Sequence, residues 1–108
     1  MRAKDDQAVL IHLDATSLPD EIYSNYDLEQ LEQRIAHALQ DSNVGEYDGN
    51  EYSFDEVVLY MYGPDAEAMY QVIEPIVQDY PLCRNARVVI RPGGSEVRGR
   101  EIRIPKNA

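Results

Sequence analysis

The segment 56–62, EVVLYMY, is the feature of the sequence that most restricts its fold. Apolar residues occupy both alternating sets of positions in it, and the same holds for QAVLIHLD at Gln7–Asp14. A strand that is apolar on both sides is covered on both faces, or nearly so. These two segments are therefore predicted to lie side by side in the middle of a sheet.

The elements around this strand pair follow from helical periodicity, turn residues and shorter apolar runs. In chain order they are predicted as a polar loop at 15–26, a helix at 27–41, an irregular edge strand at 44–52, a helix at 64–80, a strand at 87–91 and a strand at 97–104. Asp27 is a predicted N-cap, and Pro64 suits the first turn of its helix. Asp48-Gly49 predicts either a hairpin turn or a β-bulge, and a further bulge is predicted near Gly99.

This order of elements is β-α-β-β-α-β followed by one extra strand. It predicts an α+β fold of the ferredoxin-like kind, with an additional C-terminal β-strand and an antiparallel sheet carrying two helices on one face. Residues 7–104 are predicted to form a single domain. We expect residues 1–6 to be a disordered leader and residues 105–108 to be a tail.

Charge is distributed unevenly along the chain. Residues 5–80 hold 18 acidic residues and one basic residue, Arg34, whereas residues 81–108 hold two acidic and seven basic residues. The net charge of the whole chain is −10. A protein with so large a negative net charge repels nucleic acid at long range. The charge therefore favours a protein partner.

The residues that usually carry catalysis or metal binding are sparse. With one cysteine, Cys83, and two histidines, the chain has no cysteine-based zinc site and little for acid–base chemistry. Cys83 is expected to be a partly buried thiol, although the adjacent Arg84 leaves a lowered pKa open. We predict no catalytic residues, no cofactor and no metal. The longest apolar runs are too short to span a membrane, so a cytoplasmic location is expected.

Two segments resemble a group of small bacterial proteins to which no activity is assigned. They are GEYDGNE at 45–51 and LYMYGPDA at 59–66, and the following helix carries IEP at 73–75. The resemblance covers roughly residues 44–92. It implies that the segment 48–51 belongs to a shared architecture and leaves open whether this segment is a turn or a site.

Three groups of residues are candidate sites. The first is an acidic set that forms a candidate partner surface: Glu46, Asp48, Asn50, Glu51, Asp55 and Glu56. Its spacing is loosely calcium-like but lacks the glycine and terminal glutamate of an EF-hand loop, so a solvated hairpin that blunts an edge strand is the alternative to a cation site.

The second candidate is a sheet face that the helices leave open, where we expect His12, Tyr60 and Tyr62 to lie. Aromatic residues at such positions stack bases in RNA-recognition domains, whereas an apolar face more often meets another protein or a second copy. The loop 15–26, with Tyr23 and Tyr26, is an alternative cover within the chain.

The third candidate is a basic C-terminal hairpin for binding anions, because arginine pairs bidentately with phosphates and carboxylates. Its residues are Arg87, Arg91, Arg98, Arg100 and Arg103. The alternative is a solubilised edge that pairs with acids of the same chain.

The function predicted from these features is non-catalytic protein–protein interaction. The acidic surface would engage a basic partner, as an inhibitor or immunity-type protein masks a cationic surface. RNA or nucleotide binding through the open face and the arginines remains an alternative, and so does a homodimeric scaffold held by the face of Tyr60 and Tyr62.

Overall fold

The computed structural model describes residues 7–93 and 99–106. Within these ranges the chain forms five strands, three α-helices and one 3₁₀ turn. They are β1 (Gln7–Asp14), α1 (Asp20–Asn25), α2 (Leu28–Asp41), β2 (Glu46–Tyr52), β3 (Glu56–Gly63), α3 (Ala66–Asp79), the 3₁₀ turn (Pro81–Cys83), β4 (Arg87–Arg91) and β5 (Arg100–Arg103). The predicted α+β class is confirmed. The predicted leader and part of the predicted tail fall on residues 1–6 and 107–108, outside the described residues.

The strands form one antiparallel sheet in the order β2-β3-β1-β4-β5. Its central strand is β1, which pairs with β3 through Leu10 and Tyr60 and with β4 through Leu10 and Val89. The two strands with apolar residues at both sets of positions are therefore neighbours inside the sheet, as predicted. The edges are β2 and β5.

One face of the sheet carries the main core. α2 contributes Leu31, Ile35 and Leu39, each with no exposed surface, and α3 contributes Met69 and Ile73 in the same state. They pack against one alternating set of strand residues, namely Val9, Ile11, Leu13, Val57, Leu59, Met61, Val88 and Ile90. We call this the helix face and the opposite side the open face. Burial of these aliphatic side chains is the main source of stability.

The predictions for the connecting segments need two corrections. Residues 15–26, predicted as loop, contain α1, which buries Ile22 in the main core. Six residues are too few to show a helical period in the sequence. The helix predicted at 64–80 corresponds to α3 and begins later than expected. Asp65 is its N-cap, and Pro64 precedes the helix. Asp27 caps α2 as predicted and accepts a hydrogen bond from the Glu29 N–H at 3.1 Å.

Of the two structures predicted for Asp48-Gly49, a hairpin turn and a β-bulge, the protein forms the bulge. The register of β2 against β3 shifts between Tyr47 and Gly49, and Gly49 has a φ of 112°, a conformation that favours glycine. The bulge predicted near Gly99 adjoins residues 94–98, which lie outside the described part of the chain. From Arg100 to Arg103 the pairing with β4 is regular.

Candidate functional site

The open face is a second, smaller apolar cluster centred on β1. Ala8, Leu10 and Val58 are buried there, and the partly buried side chains of Tyr60, Tyr62 and Val89 pack around them. Among the residues that the structure describes, no helix contributes to this cluster. The predicted open-face residues Tyr60 and Tyr62 therefore do lie on the side opposite the helices, and His12 joins them by register with Val58.

The loop 15–26 does not cover this face, so that alternative is wrong. Tyr23 packs against the main core, where its hydroxyl donates to the Asp14 carbonyl at 2.9 Å and accepts from the Leu18 N–H at 3.1 Å. Tyr26 lies edge-on against Tyr80, with ring centroids 5.7 Å apart. Both tyrosines are held by contacts on the helix face.

Hydrogen bonds to acids restrain the candidate aromatic residues. The Tyr60 hydroxyl donates to Glu51 at 3.1 Å, and desolvation together with this carboxylate raises the pKa of Tyr60. Nδ1 of His12 lies 3.1 Å from Oε1 of Glu56. A carboxylate beside each of these rings repels the phosphate backbone of RNA. RNA binding requires the protein to neutralise phosphate charge, so these acids oppose it.

The six residues of the acidic candidate set are not brought together as one surface. Glu46 and Glu51 share the open face through their pairing with Tyr62 and Val58. Asn50 pairs with Leu59 on the helix face, where its amide donates to Glu32 of α2 at 2.7 Å. The Tyr47 hydroxyl donates to the same carboxylate, and burial and Glu32 both raise its pKa.

The other acids of this set occupy three separate places. Asp48 lies at the bulge, and Asp55 lies in the turn between β2 and β3, where its carbonyl accepts from the Ala15 N–H at 3.1 Å. Glu56 belongs to the ion-pair cluster with His12 and Arg87, and its oxygens lie 3.1 Å and 3.9 Å from their nitrogens.

The arginines of the third candidate are largely paired with acids of the chain. Arg100 pairs with Ile90 on the helix face and donates two hydrogen bonds of 2.7 Å to Glu67 of α3, which lower the pKa of Glu67. Arg87 and Arg103 both approach Glu101, at 3.4 Å and 3.2 Å.

Two arginines of the set remain. Arg91 forms no ion pair within residues 7–93 and 99–106, and Arg98 lies outside the described residues. The pairing of these arginines with acids of the same chain agrees better with the alternative prediction, a solubilised edge hairpin, than with an anion site.

A polar recess of about 250 Å³ lies at one end of the open face and is lined partly by His12, Asp14, Asn85 and Arg87. Burial alone would raise the pKa of Asp14, but hydrogen bonds from Asn85 and from the Ser17 and Thr16 N–H groups outweigh it, so this pKa is lowered. The polar groups of the recess thus bind one another. In the described part of the chain no group of three His, Cys, Asp or Glu side chains is arranged to hold a metal ion.

The most exposed aromatic side chain was not among the sequence candidates. Phe54, the only phenylalanine in the chain, lies in the turn between β2 and β3 with 95% of its surface exposed. Tyr52 at the end of β2 is 68% exposed. The signal in the sequence is a lone phenylalanine between Ser53 and Asp55, in a segment whose other residues predict a turn. We call residues 51–55 the hairpin tip.

Cys83 is fully buried in the 3₁₀ turn, and burial raises the pKa of its thiol to about 12. The alternative of a lowered pKa beside Arg84 is wrong. A buried neutral thiol of this kind is a packing residue rather than a nucleophile.

No protein-family model matches the chain, and no match was found among curated proteins or solved structures. In the described residues, no helix has the length and apolar character needed to cross a membrane.

Proposed function

We propose that this protein is a non-catalytic, cytoplasmic protein-binding domain that presents its acidic hairpin tip to a basic partner. The observation that carries the proposal is the 95% exposure of Phe54. A phenylalanine left in water forgoes about 2–3 kcal/mol of burial free energy, which another protein can recover by enclosing it. Aromatic anchors of this kind dominate the energetics of many interfaces.

The acids around Phe54 suggest the chemistry of that partner. Glu51 and Asp55 are exposed within the hairpin tip, and the chain as a whole carries a net charge of −10. A basic rim around an apolar pocket would complement this surface and would accelerate association. Such binding would mask a cationic surface of the partner, in the manner of an inhibitor or immunity-type protein.

The details of the fold support a finer class. We assign a split β-α-β arrangement of the ferredoxin-like kind, on the basis of the sheet order β2-β3-β1-β4, with α1 and α2 between β1 and β2 and α3 between β3 and β4. In this proposal α1 is an addition to the first connection, and β5 extends the sheet beyond β4.

Nucleic acid is the less favoured partner. Arg87, Arg100 and Arg103 already contact carboxylates of the chain, so most of the described basic side chains of the hairpin are neutralised. Tyr60 and His12 are each bonded to a glutamate. Both features weaken the phosphate contacts on which nucleic-acid affinity depends.

The test is affinity capture from a nuclease-treated native lysate at low and high salt, followed by binding measurements with the purified partner. The variants are Phe54→Ser, with the exposed helix substitution Gln33→Ser as control, and Asp55→Lys, with the equal charge change Asp79→Lys as control. We expect Phe54→Ser to weaken binding about 30-fold or more, as for a hot-spot residue. Asp55→Lys should weaken binding and reduce its salt dependence, and both controls should bind as the unmodified protein does.

Two results would contradict the proposal. One is a captured partner whose affinity does not change with Phe54→Ser. The other is capture that occurs only before nuclease treatment, which would indicate nucleic acid as the ligand.

A further inference from the structure

The open face combines an apolar centre with opposite charges on its two sides. Three rows of paired residues cross it, and they are Tyr62–Ala8–Arg91, Tyr60–Leu10–Val89 and Val58–His12–Arg87. The third row continues to Glu51 on β2 and to Arg103 on β5. The first row continues to Glu46 on β2.

Negative charge is concentrated on one side of β1 and positive charge on the other. On the open face, β2 and β3 present Glu46, Glu51 and Glu56. β4 and β5 present Arg87, Arg91 and Arg103 together with one acid, Glu101, which contacts Arg87 and Arg103 and leaves this side with an excess of positive charge. Glu46 and Arg91 form no ion pair among the residues that the structure describes. Two charges of opposite sign thus lie on opposite borders of an apolar patch, too far apart to pair with each other.

A surface of this kind is complementary to itself. We infer that the open face is the interface of a homodimer whose two-fold axis runs along β1. Rotation about this axis places β3 of one copy over β4 of the other, and β2 over β5, because β1 is the central strand. Tyr62 then lies over Arg91 of the second copy, Glu51 over Arg103 of the second copy, and Leu10 over its own symmetry mate.

A second face-to-face arrangement with aligned strands is geometrically available, and electrostatic repulsion argues against it. An axis perpendicular to the strands would place β2 over β2 and β4 over β4. Glu46 would then face Glu51 of the second copy, and Arg87 would face Arg91. Like charges placed opposite each other at an interface cost free energy, so only the axis along β1 gives favourable contacts on both borders.

The size and composition of the face suit a dimer of modest affinity. Five strands about 4.8 Å apart make it about 19 Å wide, and the three rows with their flanking residues make it about 20 Å long. Two such faces in contact bury on the order of 1,000 Å² in total, near the lower limit for a specific interface. Apolar residues occupy the centre and charged residues the rim, which is the usual anatomy of a protein–protein interface.

The axis along β1 keeps equivalent ends of the two sheets together. Both hairpin tips of the dimer would therefore project from the same end. If the hairpin tip binds a partner as proposed above, the dimer presents two such tips to one surface and gains avidity. This last consequence rests on the proposed function, whereas the dimer itself does not.

The test is the monomer–dimer equilibrium of the purified protein, measured by analytical ultracentrifugation. The single variants Glu51→Arg and Arg103→Glu each place two like-charged pairs in the dimer, so each should weaken self-association about tenfold. An equimolar mixture of the two should restore association. In the heterodimer the introduced arginine faces the introduced glutamate on one border, and the unmodified Glu51 faces the unmodified Arg103 on the other. Circular dichroism verifies that each variant is folded.

The control pair is Asp79→Arg and Lys106→Glu, since both positions are exposed outside the open face. These variants, alone or mixed, should associate as the unmodified protein does, and Phe54→Ser should do so as well. A protein that stays monomeric at millimolar concentration would overturn the inference and leave this face to a different partner. A mixture of Glu51→Arg and Arg103→Glu that fails to restore association would overturn the axis.

Discussion

The sulfur of Met69 lies where a side chain at Gly45 would have to go. A Cβ at Gly45 would be 2.5 Å from Sδ of Met69 and 2.7 Å from the carbonyl oxygen of Tyr62. Gly63 is equally constrained, since its Cβ would meet the backbone of Val44 and Gly45. The absence of a side chain at Gly45 and Gly63 therefore lets β2, β3 and α3 approach one another closely.

This contact makes Gly45→Ala a destabilising substitution. The carbonyl oxygen belongs to the backbone and cannot move aside as a flexible side chain can. We expect the free energy of unfolding to fall by about 1–3 kcal/mol, as for other overpacked sites. Urea denaturation measures the loss, and Gln33→Ala on the exposed side of α2 should change stability by less than about 0.5 kcal/mol. Equal stability of both variants would contradict the contact.

Phe54 should contribute nothing to folding despite its size. Phe54→Ser is expected to leave the free energy of unfolding within about 0.5 kcal/mol of the unmodified value, because the ring makes few contacts with the chain. Leu59→Ala, at a fully buried position of β3, should lose about 2–5 kcal/mol. Thermal and urea denaturation compare the two. A large loss with Phe54→Ser would mean that the ring is packed within the fold.

Asp14 should contribute stability that depends on pH. Its folded pKa is below the ordinary value of 3.8, so the unfolded state takes up a proton first as the pH falls. The contribution is therefore complete above about pH 4 to 5 and is lost as the pH falls through the folded pKa. Asn85→Gly removes a 2.7 Å hydrogen bond to this carboxylate while keeping the φ of 64° accessible.

The difference in unfolding free energy between Asn85→Gly and the unmodified protein should thus be larger at pH 6 than at pH 3. The matched control is Asn43→Gly, at a second non-glycine position with positive φ, where φ is 54°. Because Asn43 donates no hydrogen bond to a carboxylate among the described residues, its effect should be the same at both pH values. A pH-independent difference for Asn85→Gly would contradict the role of Asp14.

Cys83 should react slowly with thiol reagents in the folded protein. A pKa near 12 leaves so little thiolate at pH 8 that the rate should be about 1,000-fold or more below that of free cysteine, and burial slows access further. Colour formation with an aromatic disulfide reagent measures the rate. Full reactivity should appear in denaturant, and rapid labelling of the native protein would show that the 3₁₀ turn opens easily.

Local patterns were sufficient for much of the fold. The segments 7–14 and 56–62 are apolar at both sets of positions, and this pattern is typical of strands in the interior of a sheet. Leu31, Ile35 and Leu39 repeat at helical spacing, so the buried side of α2 followed from periodicity alone. The choice of Asp27 as a cap likewise depends on residues a few positions apart.

Contacts between distant residues were decided only by the tertiary structure. Whether Asp48-Gly49 turns or bulges depends on the register of β2 against β3. Arg100 binds Glu67 only because β5 and α3 meet on the helix face, and Asn50 binds Glu32 only because β2 lies beside α2. A linear charge pattern cannot divide acids between two faces of a sheet.

The sequence by itself determined the two central strands and the two long helices, although not the short helix α1, because hydrophobic period, caps and turn residues act over a few positions. Only the tertiary structure decided which residues reach water together. It exposed Phe54 at the end of a hairpin, and it placed Glu51 and Arg103 on opposite borders of one face. The physical reason is that exposure and charge complementarity depend on strand register and packing, which join residues far apart in the chain.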